Sequence, residues 1–454
     1  MKKNDILTVT VDGMTAEGSG VAHPDGIAVF IKGAAIGDTL SVRVIKVNKK
    51  YAVARIDSVL SPSGDRVDND CRSFPSCGGC AFRHISYEAE CRIKQQRVSD
   101  AFLRIGGIET DVEGIVGADS VFGYRNKAQY ALSSTENGLK IGFFAERSHR
   151  VIDCSDCALQ PDEFKAVTAA FEKYISENSV SVYDEASGRG LLRGIYVRRA
   201  EMTGEIMVCA VINGNSLPKA DRLIEALKCA LGERLKTVVL NINREKTNVV
   251  LGEKCVNLYG DGYITDVLCG VKVRLGALSF YQVNRSMAQR LYSIAADLAE
   301  CDGKTVFDLY CGAGTIGLSM ANRAKTVIGA EIVPQAVEDA RFNAEQNGIA
   351  NARFICADAY EAAKQLSQEK IHPDVVIVDP PRKGLENGLP EFIAQRFSPE
   401  RVVYVSCDPA TLARDCAAFE QAGYKVKRVV PVDMFPRTHH VETVCLLTRI
   451  AKKI

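Results

Sequence analysis

The stretch "FDLYCGAGTIGLSMA", Phe307 to Ala321, decides the fold. An apolar run, a glycine turn and a helix-compatible segment follow one another, and Gly312, Gly314 and Gly317 match the G-x-G-x-x-G spacing of a nucleotide-binding strand, turn and helix. Glu331 ends the next apolar run, where a ribose-binding acid belongs. RFICADA, VVIVDPP and VVYVSCDP continue the series, separated by helical segments. Strands alternating with helices predict an α/β, Rossmann-like domain from Val271 onward, with a mostly parallel sheet covered on both faces.

Upstream the pattern differs. Residues 5–60 alternate apolar and polar positions in short runs punctuated by glycine turns, which predicts a small closed β-barrel. "CRSFPSCGGC" follows, then a candidate helix over about 86–105 ended by Gly106 and Gly107. From Gly123 to Gly270 the pattern is mixed α+β, with basic patches at Tyr124 to Lys127 and Arg189 to Arg199.

At 454 residues the chain has room for two or three domains. Its 46% hydrophobic and 25% charged residues describe an ordinary globular protein. The opening MKKNDILTVTVDGM has no apolar signal-peptide core, and no apolar run approaches a membrane span, so a cytoplasmic protein with reduced thiols is expected. Its sixteen cysteines are then candidates for metal binding or catalysis. A net charge of +1 says little about nucleic acid. Between Ser41 and Arg66, however, six basic residues (Arg43, Lys46, Lys49, Lys50, Arg55 and Arg66) stand against two acids, Asp57 and Asp65.

The glycine fingerprint alone also suits a nicotinamide dehydrogenase. Against that reading, Asp308 and Tyr310 precede the glycines, Asp358 ends the third strand, and a rigid Asp379-Pro380-Pro381-Arg382 turn ends the fourth. Glu331 for a ribose and Asp358 for an adenine amine, with no basic pair for a pyrophosphate, fit S-adenosylmethionine better. Its cationic amine suits a nearby acid such as Asp308.

Ligands in open α/β sheets bind outside the carboxyl ends of the strands, where Asp379 and Cys407 both lie. Glu442 stands at the start of the last strand, after two histidines. A thiol and a carboxylate form a kit for methylating a pyrimidine at C5. Thiolate addition at C6 makes C5 nucleophilic, and a base then removes the C5 proton so that the thiol leaves. Cys407 is the candidate nucleophile and Glu442 the candidate base.

"DLYCGAGTIGL", "IVDPPRKG", "YVSCDPATLARD" and "HHVET" together resemble the TrmA/RumA-type RNA (uracil-5-)-methyltransferases, over nearly the whole chain. The resemblance implies a TRAM domain, an OB-like barrel, over residues 1–62, a central iron-sulfur and RNA-binding domain over 63–270, and a class I methyltransferase domain over 271–454. It places the helix at about 86–105 against the catalytic domain. It carries over Cys407 as nucleophile and Glu442 as proton acceptor, with S-adenosylmethionine contacts at Gln282, Tyr310, Thr315, Glu331, Asp358 and Asp379.

Cys71, Cys77 and Cys80 are spaced C-x5-C-x2-C, which suits zinc or an iron-sulfur cluster once a fourth ligand is supplied. Cys154, Cys157 and Cys91 are the candidates. The resemblance selects Cys157, before the Leu-Gln-Pro run, and a [4Fe–4S] centre with all four ligands from protein. The other eleven cysteines are expected in the core. The implied partner is structured RNA, 23S rRNA rather than tRNA, with no membrane contact and a monomeric enzyme. A tRNA uridine-54 enzyme, an exocyclic-amine methyltransferase using Asp379-Pro-Pro, and a non-catalytic iron-sulfur RNA binder are the competing readings. A uridine must leave its stack to be methylated. Arg125 and Lys127, interleaved with Tyr124 and Tyr130, are expected to meet phosphates and bases, and the barrel's Arg43 to Arg55 set to add an electrostatic contact.

Overall fold

The computed structural model describes residues 1–136, 138–246 and 249–450. The expected sheet is present as seven strands in the order Ala352–Cys356, Thr326–Glu331, Thr305–Leu309, Val375–Val378, Arg401–Ser406, Glu442–Arg449, Tyr424–Val432. The first five run parallel, and Glu442–Arg449 is antiparallel to both of its neighbours. Helices cover both faces, so Val375–Val378 is buried along its whole length, and its sequence is apolar throughout instead of alternating. Strand order reverses between Thr305–Leu309 and Val375–Val378, and such a switch point opens a crevice at the carboxyl ends.

The glycines of the decisive stretch are required by geometry. Gly314 turns the chain into the helix Thr315–Met320 at φ +79°, a region costly for residues with a Cβ. A Cβ on Gly317 would lie 2.8 Å from the carboxylate oxygen Oδ2 of Asp308.

At the N-terminal end, six strands between Ile6 and Ser61 curl around Val9, Val29, Ile31, Leu40, Val42 and Val44, as expected of an OB-like barrel. The middle of the chain is a seven-stranded mixed sheet with helices Asp162–Asn178 and Ala220–Leu231 on one face. On its other face the hairpin Tyr263–Leu268/Val271–Gly276 joins Tyr196, Met207 and Val239 to the catalytic domain's helix Arg285–Ala299 in one core. A boundary at residue 270 falls in the turn of this hairpin.

The helix after the cysteine segment spans Tyr87–Ala101, with Ser86 as its cap. A π-helical turn, Phe102–Gly106, follows, and Gly107 ends it at φ +62°. Val98, Ala101 and Phe102 pack with Leu412, Ala413, Cys416 and Val429, so the helix shares the catalytic domain's core.

Several expectations are corrected by burial. Tyr130 is fully buried in the central domain, and Tyr124 is buried with its hydroxyl donating to the carbonyl of Pro436. Neither offers a stacking face. Arg198, from the second basic patch, is buried and donates to the carbonyls of Gly276 and Ser279, tying the central sheet to the catalytic side. Among the eleven cysteines expected in the core, Cys229, Cys255 and Cys356 are exposed.

Candidate active site

Three reacting-group candidates arrive at the crevice from strand ends. Asp379 follows Val375–Val378, Cys407 follows Arg401–Ser406, and Glu442 opens the antiparallel strand. Asp408 caps the next helix by accepting from the backbone N–H groups of Ala410 and Thr411, with Pro409 at the first helical turn. This clamps the residue after Cys407, so the thiol sits on rigid backbone.

The electrostatics of the four acidic groups are linked. Burial pushes the Cys407 thiol up to about 11, and the charges of Glu442 and Asp379 add to that, with Arg382 opposing. Burial also raises Glu442 to about 8, with Asp379 adding and Arg382 opposing. Asp379 rises to about 7 through burial and then the charge of Asp308. Asp308 rises to about 7 through burial, opposed by the Gly317 N–H that donates to its Oδ2 at 2.8 Å. Oδ1 of Asp308 is buried without a partner. Among the described residues, no side chain forms a salt bridge to Asp308, Asp379 or Glu442. Such a pocket favours a ligand that brings positive charge, because desolvated carboxylates ionise readily only beside a cation.

Of the other sequence-assigned groups, Tyr310, Glu331 and Asp358 stand at or just after the carboxyl ends of their strands, and Thr315 opens the helix after the glycine turn. Glu331 accepts from the N–H groups of Gly312 (3.1 Å) and Val333 (2.9 Å), which aims its carboxylate at the glycine turn. Asp358 spends Oδ1 on capping the helix Ala359–Gln368 through Tyr360 and Glu361. Tyr310 ends its strand at φ +72°, a strained conformation of the kind that gathers at functional sites. Tyr292, on the helix Arg285–Ala299, is buried near Gln282 and Thr315. Tyr292 also feels the charges of Asp379 and Glu442. Sequence reading missed it, because within "RLYSIAADLA" it is indistinguishable from a core position.

A second concentration of chemistry lies in the central domain. Cys71, Cys77, Cys80, Cys154 and Cys157 line one cavity of about 600 Å³ together with Arg83 and Arg125. Cys91, the outlying candidate, is elsewhere and lies against Tyr87. Cys77 and Cys154 are close enough in the cavity to perturb each other electrostatically. Among the described residues, no three Cys, His, Asp or Glu side chains gather closely enough to hold a single metal ion. The cavity also contains unmatched donors. Arg83 pairs through Nε with Asp70, but its Nη2 is sealed from solvent without a partner, as is Nε of Arg125. Arg125 was expected to meet RNA and instead faces this cavity.

In the barrel, Arg43 pairs with Asp57 and Arg66 with Asp38. Lys46, Lys49 and Lys50 are exposed and unpaired among the described residues.

Comparison with known proteins bears on the family and the fold. The tRNA (Uracil-5-)-methyltransferase family matches residues 263–450, and the TRAM domain family matches residues 2–56. An uncharacterized RNA methyltransferase of Clostridium tetani is 41% identical over 454 residues, covering 100% of this chain and 98% of its own. One from Halalkalibacterium halodurans is 43% identical over 449 residues, covering 98% of each. Among solved structures, the Pyrococcus abyssi tRNA (uracil-54, C5)-methyltransferase in complex with S-adenosyl-L-homocysteine is 28% identical. It covers 97% of this chain and 100% of its own, with a TM-score of 0.78. With a class I methyltransferase sheet that gathers a thiol and carboxylates at one edge, an N-terminal TRAM domain and relatives of this identity over their whole length, the chain belongs to the TrmA/RumA-type RNA (uracil-5-)-methyltransferase family.

Proposed function

We propose that the protein methylates C5 of a uridine in structured RNA, using S-adenosylmethionine and a covalent bond between Cys407 and C6 of the base. The observation that carries this reading is the set of acids, buried Asp308 and Glu442 with half-buried Asp379 between them, that have no salt-bridge partner among the described residues and stand beside the thiol of Cys407 at the carboxyl edge of the sheet. S-adenosylmethionine fits that set because it brings positive charge, and when bound it supplies an electrophilic methyl group. Gln282, Tyr310, Thr315, Glu331, Asp358 and Asp379 would hold it, with Tyr292 bracing Gln282 and Thr315.

Cys407 adds through sulfur to C6, which places electron density on C5 and O4 of the ring. Once C5 carries the methyl group, Glu442 takes the C5 proton, the C5–C6 double bond re-forms and the Cys407 sulfur is expelled. Rigid positioning of both groups supplies much of the acceleration. The barrel's free lysines would add phosphate contacts that bind substrate and transition state alike.

The cysteine cavity fits a [4Fe–4S] cluster better than a single zinc ion. Zinc needs four donors about 2.3 Å from one point, whereas these thiols are spread around a cavity. A thiolate-bound cluster is anionic, which matches the unpartnered Arg83 and Arg125 donors. Cys71, Cys77, Cys80 and Cys157 would hold it, and with every iron ligated by protein its role is to brace the fold. Protein purified without oxygen is expected to be brown, with about four irons and four sulfides per chain. Cys157→Ser should lose the colour and Cys154→Ser should keep it. Metal and sulfide analysis decides this, and stoichiometric zinc would overturn the cluster.

Within RNA, the family resemblance points to 23S rRNA, while the Pyrococcus abyssi relative acts on uridine 54 of tRNA. Deleting the gene is expected to remove 5-methyluridine from 23S rRNA and leave tRNA unchanged, as read by nuclease mapping and mass spectrometry. Loss from tRNA alone would reassign the substrate, and no loss from either would remove the proposed activity.

A further inference from the structure

Residues 433–441 form a loop that closes the antiparallel strands Tyr424–Val432 and Glu442–Arg449, with Val432 opposite Glu442 in register. The position of Glu442 therefore depends on where this loop is pinned, and its strongest pins come from the helix Tyr87–Ala101, more than 330 residues away in sequence. Lys94 is 1% exposed and uses all three of its protons: on Oε1 of Glu90 (2.6 Å), Oδ1 of Asp433 (2.7 Å) and the carbonyl of Phe435 (3.2 Å). Tyr87 donates to Oδ2 of Asp433 at 2.7 Å.

Arg437 extends the arrangement. Its N–H donates to Glu90 at 2.7 Å, and its guanidinium donates to the carbonyl of Ile85. Its carbonyl accepts from the N–H groups of Ala81 (2.8 Å) and Phe82 (3.1 Å), the two residues after Cys80. Arg437 holds φ +69°, unusual for a residue with a side chain, and these bonds fix it there. Glu90 and Asp433 are fully buried. Burying two acids with one lysine gains little stability over apolar packing of the same volume, so its return is in geometry.

We propose that the Lys94–Glu90–Asp433 clasp, joined through Arg437 to the segment after Cys80, is a positioning device for Glu442. It sets the reach of the base to C5 and thereby controls release of the methylated RNA, and it leaves addition by Cys407 untouched, since Cys407 sits on a different strand end. The inference rests on the reading of Glu442 as the base.

The test is a single-turnover reaction of the full chain with radiolabelled S-adenosylmethionine and total RNA from a strain lacking the gene. Denaturing gels follow the methylated protein–RNA adduct. For Lys94→Met, methyl should enter the adduct at the wild-type rate and leave it at least about tenfold more slowly, the scale of a sub-ångström misplacement. Lys94→Arg, which keeps charge and donors, should restore part of the release rate. Tyr87→Phe removes one bond to Asp433 and keeps the ion pairs, so it should slow the same step by less. If Glu442→Gln itself builds up no adduct, the base assignment has failed. If Glu442→Gln builds it up while Lys94→Met and Tyr87→Phe release product normally, or slow methyl transfer and release alike, the clasp proposal is overturned. Should Lys94→Met fail to fold, Tyr87→Phe decides by the same two readouts.

Discussion

Cys407→Ala is expected to abolish turnover and, with it, the covalent complex that the wild-type protein forms with RNA containing 5-fluorouridine. Fluorine at C5 cannot leave as a proton, so a mechanism that adds a thiol at C6 stalls as a stable adduct, and only a mechanism with that addition does so. C5 of uracil is a poor nucleophile without the sulfur at C6. Removing one member of a unit that acts together costs about 10⁴-fold or more, well beyond the effect of a lost contact. Burial pushes this thiol up to about 11, so it is not a thiolate in the ligand-free pocket. Positive charge brought by the methyl donor favours ionisation where it is needed. If Cys407→Ala still methylates RNA, the nucleophile assignment is wrong, and an exocyclic-amine mechanism built on Asp379-Pro380-Pro381 becomes the better reading.

Glu442→Gln should separate the halves of the reaction. Addition and methyl transfer need no base at C5, so the variant should build up a methylated protein–RNA adduct on ordinary RNA and release it slowly, by about 10²-fold or more, the usual worth of a positioned base. The pH dependence of release carries a second signature. Glu442 accepts a proton only when ionised, and its value lies near 8 in the folded pocket, above the ordinary carboxylate range. Raising the pH from 6 towards 8 should therefore speed release in the wild type, and Glu442→Gln should lose that dependence. Rapid-quench kinetics at several pH values measure both. Normal release by Glu442→Gln would move the base elsewhere in the pocket.

Much of this molecule can be read locally. The glycine turn at Gly312 to Gly317, the apolar runs that became Val375–Val378 and Arg401–Ser406, and the barrel's alternating strands depend on neighbours within a few residues, so their patterns survive in one dimension. Cys407 and Asp379 could be gathered from sequence because a parallel sheet brings its carboxyl ends to one edge, and Glu442 stands at that edge because its strand runs antiparallel and starts there. The C-x5-C-x2-C spacing of Cys71, Cys77 and Cys80 is legible in the same local way, and the three thiols line one cavity.

Burial and long-range pairing were decided only by the tertiary structure. A run such as Tyr124-Arg125-Asn126-Lys127 looks the same whether it faces RNA or the interior, and here Tyr124 meets Pro436 across 312 residues while Arg125 faces a cavity of thiols. Tyr292, hidden in a helical core pattern, acquires a role only because Gln282 and Thr315 arrive beside it. Lys94 and Glu90 have the i, i+4 spacing common on solvated helix faces, but Asp433 folds over them and the pair is buried. Periodicity records which face of an element is apolar, but the partner of a buried charge is set by which distant segment packs against it. That choice is made by the whole core at once and leaves no local trace in the chain.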